Sequence, residues 1–585
     1  MAVKLEVLAL DFDGTIADHN VVAPANRAAI RRARARGIVV LIVTGRILED
    51  LRRVAGDLRF VDAVVAENGA VVAFPENGRS EVLGTPPPDG FIDELRRRGI
   101  PTDRGECVVE TDASYAAAIL DVVRTMELPL TLQFNGGRVM ILPPGISKAT
   151  GLREALTAMR LSEHNALAIG DAENDHSLLS ACEIGAAVSW GSRALKAIAD
   201  DVVEGSGPDA VADYIDRVIS QPKLDLPRNP RRRLTVGTTD TGQPVCLGVM
   251  GRNVLVVGDP RSGKSWIAGL LAEQLILQRY CVCVVDPEGD YRTLESLPGV
   301  AVVGGDDPPP RPREVALALR HPDVGLVIDL SKLKHGEKEE YIHALLPHLA
   351  ALRRRTGLPH RIVVDEAHYF LGDSAGPRLA DVDLEGYTLV TYRVSQLHAQ
   401  VRQAADVVSA TRVTDPAEIA TLPALVDPSL ANRDWRETLG ELDLGEAMIL
   451  RGADSPDALG CRFLLAPRFT LHVRHRQKYV NVQLMDREAF TFTCDGQPTG
   501  ERALSLGQFV ELVDRCPDQI LDGHLRRGDF SRWIADVFAD YPLAAQIRQI
   551  EHQYRLRRML DPRDAIAQAV AERYAIGEGA AETRP

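Results

Sequence analysis

Residues 8–20 read LALDFDGTIADHN and residues 255–266 read LVVGDPRSGKSW. Each stretch is an apolar run that breaks at a turn of small residues carrying groups suited to phosphate. That is how parallel strands of an open α/β sheet finish, at the carboxyl edge where such sheets bind ligands. Two such openings predict two separate sheets.

Around the first opening, EVLALDF, IVVLIVTG, AVVAENG and ALAIGD are continuous apolar runs, as expected for strands covered on both faces. Helical spacing appears between them in ANRAAIRRARARG and NDHSLLSAC. A stretch from about 80 to 145, opening on GTPPPDG and closing on LPPG, breaks the rhythm and reads as a small α/β insertion. Around the second opening, NVLVVG, YCVCVVD, VGLVID, RIVVDE and YTLVTY alternate with helical segments such as GKSWIAGLLAEQLILQ. The proline-rich, basic stretch around 223–233 reads as a linker. The domains expected are 1–222, 234–468 and a mainly helical module at 469–575 that begins with strands, followed by a loose tail at 576–585.

The bulk composition fits this plan. A chain of 585 residues exceeds one core, and 45% hydrophobic with 26% charged residues is ordinary for globular protein. A net charge of -14 argues against coating nucleic acid through bulk charge, though local basic channels stay open. The eight cysteines form no CxxC pair and read as reduced core thiols, which points to the cytoplasm. No run of about 18 apolar residues suggests a membrane span.

In the first opening Asp11 and Asp13 can face one crevice once the Gly-Thr turn bends the chain. Two carboxylates so close imply a cation, and Mg²⁺ is expected. Further along, LIVTGR brings Thr44 and Gly45, GISKAT brings Lys148, and IGDAENDHSLL brings Asp171, Asn174 and Asp175. A hydroxyl, a lysine and an acidic cluster, each after a strand and in this order, resemble the haloacid dehalogenase superfamily of phosphatases over residues 1–220. The insertion is similar to the larger α/β cap of the Cof-type sugar-phosphatase branch, and AENGAVV fits that branch.

The resemblance implies that Asp11 is the nucleophile and Asp13 the general acid and base. It implies that Thr44, Gly45, Lys148 and Asn174 hold the phosphate. It also implies that Asp11, the carbonyl of Asp13, Asp171 and Asp175 serve the metal. The substrate would be a small phosphorylated compound.

GDPRSGKS matches G-x-x-x-x-G-K-[ST] from Gly258 to Ser265, between an apolar strand and a helix. Main-chain N–H groups around Gly258, Arg261, Ser262, Gly263 and Trp266 would wrap the phosphates of ATP. Lys264 would reach the terminal ones, and Ser265 would ligate Mg²⁺. RIVVDEAH offers Asp365 for the metal and Glu366 to orient the attacking water. Asp286 and Asp329 also end strands, but only Asp365 has an adjacent second acid.

VVDPEGDY, VIDLS, VVDEAH, TYRVSQL and ELDLGEAMIL follow in the order of HerA-like ATPases, which this segment resembles from about 234 to 465. That resemblance implies Gln396 as a polar sensor. It also implies a homo-oligomeric ring, six subunits favoured, with an arginine supplied across each interface: Arg412 first, then Arg393 and the Arg353–Arg355 cluster. The barrel usually ahead of the motor is reduced to LTVGTTDTGQPVCLGVMG, which puts DNA translocation in doubt.

The fold class expected is therefore α/β. Two doubly wound three-layer sandwiches, one haloacid-dehalogenase-like with a cap and one RecA-like with a P-loop, precede a mainly helical module. HVRHRQKY (472–479) reads as a solvated edge strand or a phosphate contact. Trp533, Ile534, Val537 and Phe538 have core spacing.

The function expected is a Mg²⁺-dependent phosphomonoesterase joined to an ATP-driven, ring-forming motor or remodeller, with nucleic acid open as its partner. One alternative is a sugar-phosphate phosphatase whose P-loop segment senses nucleotide. Another is an oligomeric defence or interaction platform.

Overall fold

A computed structural model of the chain describes residues 2–135, 137–221, 224–225, 232–372, 376–430, 432–470, 489–494, 496–538 and 540–574. Residues 1–472 form one compact unit and residues 473–585 a second. The HVRHRQKY stretch, most of the linker and the tail lie outside the described residues.

The first unit contains two large sheets. One has eight strands, in the order Asp201–Val203, Ile184–Val188, Ala166–Gly170, Val7–Leu10, Val39–Val43, Ala63–Ala66, Val71–Phe74 and Arg79–Val82. The first six run parallel and the last two antiparallel. Val7–Leu10 and Ile184–Val188 are buried at every position, which is why they are continuous apolar runs rather than alternating ones. Helices Pro24–Ala35, Leu48–Ala55 and Pro208–Ser220 cover one face, and Lys148–Met159 and His176–Ala181 the other.

The insertion forms its own antiparallel sheet, ordered Thr131–Asn135, Arg138–Leu142, Val109–Asp112 and Asp103–Arg104. Alternation sends Leu132, Val109, Val139 and Ile141 to one face, where helices Asp89–Arg97 and Ala116–Thr125 pack. The opposite face carries Gln133 and, directly across the ladder, Met140.

The second sheet has eleven strands. Its parallel part runs Val407–Ala410, Val254–Val257, Tyr387–Thr391, Arg361–Val364, Val282–Asp286, Gly325–Asp329 and Val300–Gly304. Glu446–Arg451, Arg462–Leu465, Arg233–Thr239 and Pro244–Gly248 extend one edge in antiparallel register. The short stretch ahead of the P-loop is thus a hairpin added to the main sheet. Helix Lys264–Leu277 is buried almost all round, consistent with its unbroken apolar composition.

The second unit pairs a hairpin, Phe490–Cys494 with Gln497–Ala503, with five helices between Leu506 and Tyr574. Trp533, Ile534 and Phe538 are buried and Val537 is partly so, as their spacing predicts. His524 is held in this core through both ring nitrogens. Its Nε2 accepts from the Thr493 N–H at 2.9 Å and its Nδ1 lies 2.7 Å from Asp529, which places the ring proton on Nδ1.

Candidate active site

Asp11 ends the strand Val7–Leu10, and Lys148 is the first residue of the helix Lys148–Met159. That helix starts where it does because Ser147 caps it: Thr150 N–H meets the Ser147 hydroxyl, while Thr150 Oγ1 accepts the Ser147 N–H. The capped start delivers Lys148 into a fully buried spot. Its ammonium donates to Asp11 Oδ1 and to Asp175 Oδ1, each at 2.6 Å. The other oxygen of Asp175 accepts the N–H groups of Asp171 and Ala172 at 3.0 Å, so the loop carrying the acidic cluster is wound around it.

Ligand atoms of Asp11, Asp171 and Asp175 lie within 4.8 Å of one another. Burial, then the charge of Asp175, push the Asp11 carboxyl well above its usual range despite Lys148 beside it. Burial, then Asp175, raise Asp171 to about 6. Three carboxylates around one ammonium leave surplus negative charge in a desolvated place, which is a donor set for a divalent hard cation. Gly14 belongs to the same corner, since a Cβ there would sit 2.3 Å from Asp171 Oδ2.

Asp13 is turned differently. Arg46 grips it with two bonds, Nε to Oδ2 at 2.7 Å and Nη2 to Oδ1 at 2.6 Å, and also holds Asp50 at 2.8 Å. The Asp13 side chain is about half exposed whereas Asp11, Thr44 and Lys148 are buried, so the crevice opens beside Asp13. Asn174 is buried with both amide atoms lacking a hydrogen-bond partner among the described residues. A Cβ on Gly45 would lie 3.4 Å from its Nδ2 and 3.3 Å from the Met140 sulfur, so Thr44–Gly45, Asn174 and the cap meet at one point. Sequence reasoning missed Arg46, Glu67, Asn68, Gln133 and Met140. Of these only Arg46, which directly follows the Thr-Gly pair, was within reach of the sequence.

At the P-loop, Gly263 (φ 105°) and Arg261 (φ 67°) hold left-handed backbone, a conformation from which anion-binding concavities of successive N–H groups are built. Ser262 Oγ donates to the Asp259 carbonyl at 2.7 Å and pairs with Thr411 Oγ1. Lys264 Nζ donates to the same carbonyl at 2.8 Å. Ser265 Oγ donates to Asp290 Oδ2 at 3.3 Å, a carboxylate from DPEGDY that sequence reasoning did not select. Trp266 turns its indole N–H to the Ala466 carbonyl at 3.0 Å.

The competing strand-end acids are committed elsewhere. Asp286 accepts the N–H groups of Glu288, Gly289, Asp290 and Tyr291, and Asp329 pairs with Arg292. Asp365 and Glu366 are buried at the end of Arg361–Val364, and Glu366 has a left-handed backbone (φ 49°). Gln396 lies in the turn Val394–Gln396, beyond its strand, and is exposed. Arg412 is half-buried, with its carbonyl accepting the Asp259 N–H at 2.7 Å. Arg393 reaches Asp415 at 3.2 Å.

Residues 8–83 and 118–215 match the family model of haloacid dehalogenase-like hydrolases, and residues 234–362 match that of the central domain of helicase HerA. The chain therefore carries a haloacid dehalogenase-like hydrolase segment fused to a HerA-like segment. A phosphoglycolate phosphatase of Aeropyrum pernix is 29% identical over 238 residues, covering 37% of this chain and 95% of that one. The 5-amino-6-(5-phospho-D-ribitylamino)uracil phosphatase YcsE of Bacillus subtilis is 24% identical, covering 36% and 95%. A solved haloacid dehalogenase-like hydrolase from Bacteroides thetaiotaomicron is 18% identical with a TM-score of 0.33, covering 37% of this chain and all of that one. Among the described residues no helix is long and apolar enough to cross a membrane.

Proposed function

We propose that the N-terminal segment hydrolyses phosphomonoesters through an aspartyl-phosphate on Asp11, and that the HerA-like segment binds and hydrolyses ATP. The observation that carries the first half is the buried Asp11–Lys148–Asp175 chain beside Asp171.

An Asp11 carboxylate oxygen attacks phosphorus and the bond to the leaving oxygen breaks, with Asp13 giving that oxygen a proton. Asp13 then takes a proton from water, whose oxygen displaces Asp11 and releases phosphate. Thr44, Lys148 and Asn174 hold the phosphoryl oxygens, while Arg46 aims the Asp13 carboxylate. Asp11, Asp171 and the Asp13 carbonyl would hold Mg²⁺, supported by Asp175. When bound, that ion neutralises phosphate charge. The substrate is a small phosphorylated compound, the class to which the named substrates of the relatives also belong.

In the second segment the loop from Gly258 to Ser265 would take the triphosphate, with Asp290 and Asp365 near the metal and Glu366 aiming water. Assembly into a six-membered ring rests on the HerA resemblance. Arg412 would be the arginine supplied across each interface, and its backbone carbonyl accepts the Asp259 N–H of its own P-loop at 2.7 Å.

A second reading, in which the P-loop segment senses nucleotide for the phosphatase, is favoured by one contact. The helix that begins at Lys264 is capped by Gln278, whose carbonyl lies 2.8 Å from His164 Nε2 in the phosphatase segment.

Two assays test the proposal. Mg²⁺-dependent release of phosphate from p-nitrophenyl phosphate should disappear in Asp11→Asn and survive in Lys264→Ala. ATP hydrolysis should show the reverse pattern. Loss of both activities in Lys264→Ala would support the sensing reading, and an active Asp11→Asn would reject the phosphatase assignment.

A further inference from the structure

Glu67 has a carboxylate that the phosphatase chemistry does not use, yet it is fully buried, with no ion pair among the described residues. Instead it gathers three consecutive main-chain amides of the insertion. Oε1 accepts from Glu106 at 2.9 Å, and Oε2 accepts from Cys107 at 2.8 Å and Val108 at 3.0 Å. These amides lead straight into the cap strand Val109–Asp112. The fit is tight on the cap side too, since a Cβ on Gly105 would stand 2.5 Å from the Glu67 carboxyl.

The base of this clamp is built into the phosphate site. Glu67 and Asn68 both adopt left-handed backbone (φ 52° and 56°), an unfavourable conformation for side-chain-bearing residues. In that shape the Glu67 N–H donates to the Arg46 carbonyl at 2.8 Å and the Asn68 N–H to the Thr44 carbonyl at 3.0 Å. Gly69 lies so close to the Ser147 carbonyl, the cap of the Lys148 helix, that a Cβ would meet it at 1.9 Å. Asn68 Nδ2 also donates to Gln133 Oε1, on the site-facing side of the cap sheet, at 2.6 Å. Thus one short loop touches the carrier segments of Thr44, Arg46 and Lys148 below and holds the cap at two points above.

We propose that Glu67 is a positioning residue of the phosphatase site. By gathering the 106–108 amides it fixes the height of the cap sheet, so that Gln133 and Met140 stand over Thr44–Gly45 and Asn174. A carboxylate suits this task because it offers only acceptors to a row of donors. Glu67→Gln keeps the volume but turns an NH₂ group toward a backbone N–H, leaving donor against donor. Gly105→Ala does the converse: it leaves Glu67 intact and wedges its carboxyl off the amides. The proposal rests on the phosphatase reading and adds a control on substrate binding to it.

The test uses the full chain with Mg²⁺ and p-nitrophenyl phosphate, together with amide hydrogen exchange of the peptide containing residues 105–108. In both variants those amides should exchange about tenfold faster or more than in the wild type. The kcat/KM should fall by about tenfold or more, mainly through KM, since the reacting groups stay in place while the cap over them loosens. Glu67→Asp, which keeps the charge on a shorter arm, should recover part of the loss. Should Glu67→Gln not fold, Gly105→Ala decides alone. Unchanged exchange, or faster exchange with unchanged KM, in an otherwise active protein overturns the clamp. A wild type that releases no phosphate removes the site the clamp serves and overturns both readings together.

Discussion

The ring of Tyr280 lies stacked on the imidazole of His164, centroids 3.5 Å apart and planes within 17°. Tyr280 follows the P-loop helix, while His164 precedes the strand that delivers Asp171, so the stack joins the two segments. Both side chains converge on the buried Glu183, which accepts from the Tyr280 hydroxyl at 2.8 Å and faces His164 Nδ1 at 2.9 Å. Glu183 lies just beyond the helix His176–Ala181 that follows Asp175. The two segments are therefore joined through a desolvated, hydrogen-bonded contact.

Tyr280→Phe keeps the stack and removes one donor from a buried carboxylate. Such a loss costs on the order of 1–3 kcal/mol. The urea midpoint for the 1–472 unit should fall accordingly. An unchanged midpoint would mean that this contact contributes nothing to holding the segments together.

The same contact should be sensitive to acid. His360 accepts the Cys281 N–H on Nδ1 at 2.9 Å and lies 3.2 Å from the Asn165 side-chain oxygen through Nε2, so it sits neutral. Burial, then the charges of His164 and Arg353, hold its pKa well below 6.5. The folded state thus takes up fewer protons than the unfolded one, and stability present above pH 6.5 is lost as the pH falls below it. Glu183 adds loss at still lower pH: burial opposes its ionisation, but the His164 hydrogen bond and charge bring its pKa net below the ordinary value. The slope from His360 should approach about 1.4 kcal/mol per pH unit. Urea midpoints between pH 7.5 and 5.5 should show it, and His360→Gln should flatten it.

Arg46→Lys retains the charge beside Asp13 but loses the planar two-pronged grip. Turnover should drop by on the order of 10²-fold, the scale of misplacing a reacting group, with little change in melting temperature. A variant with wild-type kcat would remove Arg46 from the account of how Asp13 is aimed.

What could be read from the sequence followed how local each feature is. Asp11, Thr44, Lys148 and Asp175 each end a strand or start a helix in a recognisable string, and their convergence follows from parallel topology. The P-loop was legible for the same reason. Glu67 was not, because its partners lie about forty residues away in the insertion and bind through backbone amides that carry no side-chain signature. Gln133 meets Asn68 across a still longer separation, in a strand whose face only the fold determines. Asp290 was hidden among several acids, and the Ser265 contact singles it out only in three dimensions. The edge hairpin Arg233–Thr239 with Pro244–Gly248 looked like the remnant of a separate barrel, whereas pairing with Arg462–Leu465 incorporates it into the main sheet.

The most direct check on the central claim is chemical capture of the covalent adduct on Asp11. Protein mixed with Mg²⁺ and p-nitrophenyl phosphate, then treated with borohydride and digested, should yield the peptide from the first strand with residue 11 reduced to homoserine. That product should be missing without substrate and in Asp11→Asn. Phosphate release with an unreduced Asp11, or reduction at a different carboxylate, would contradict the account.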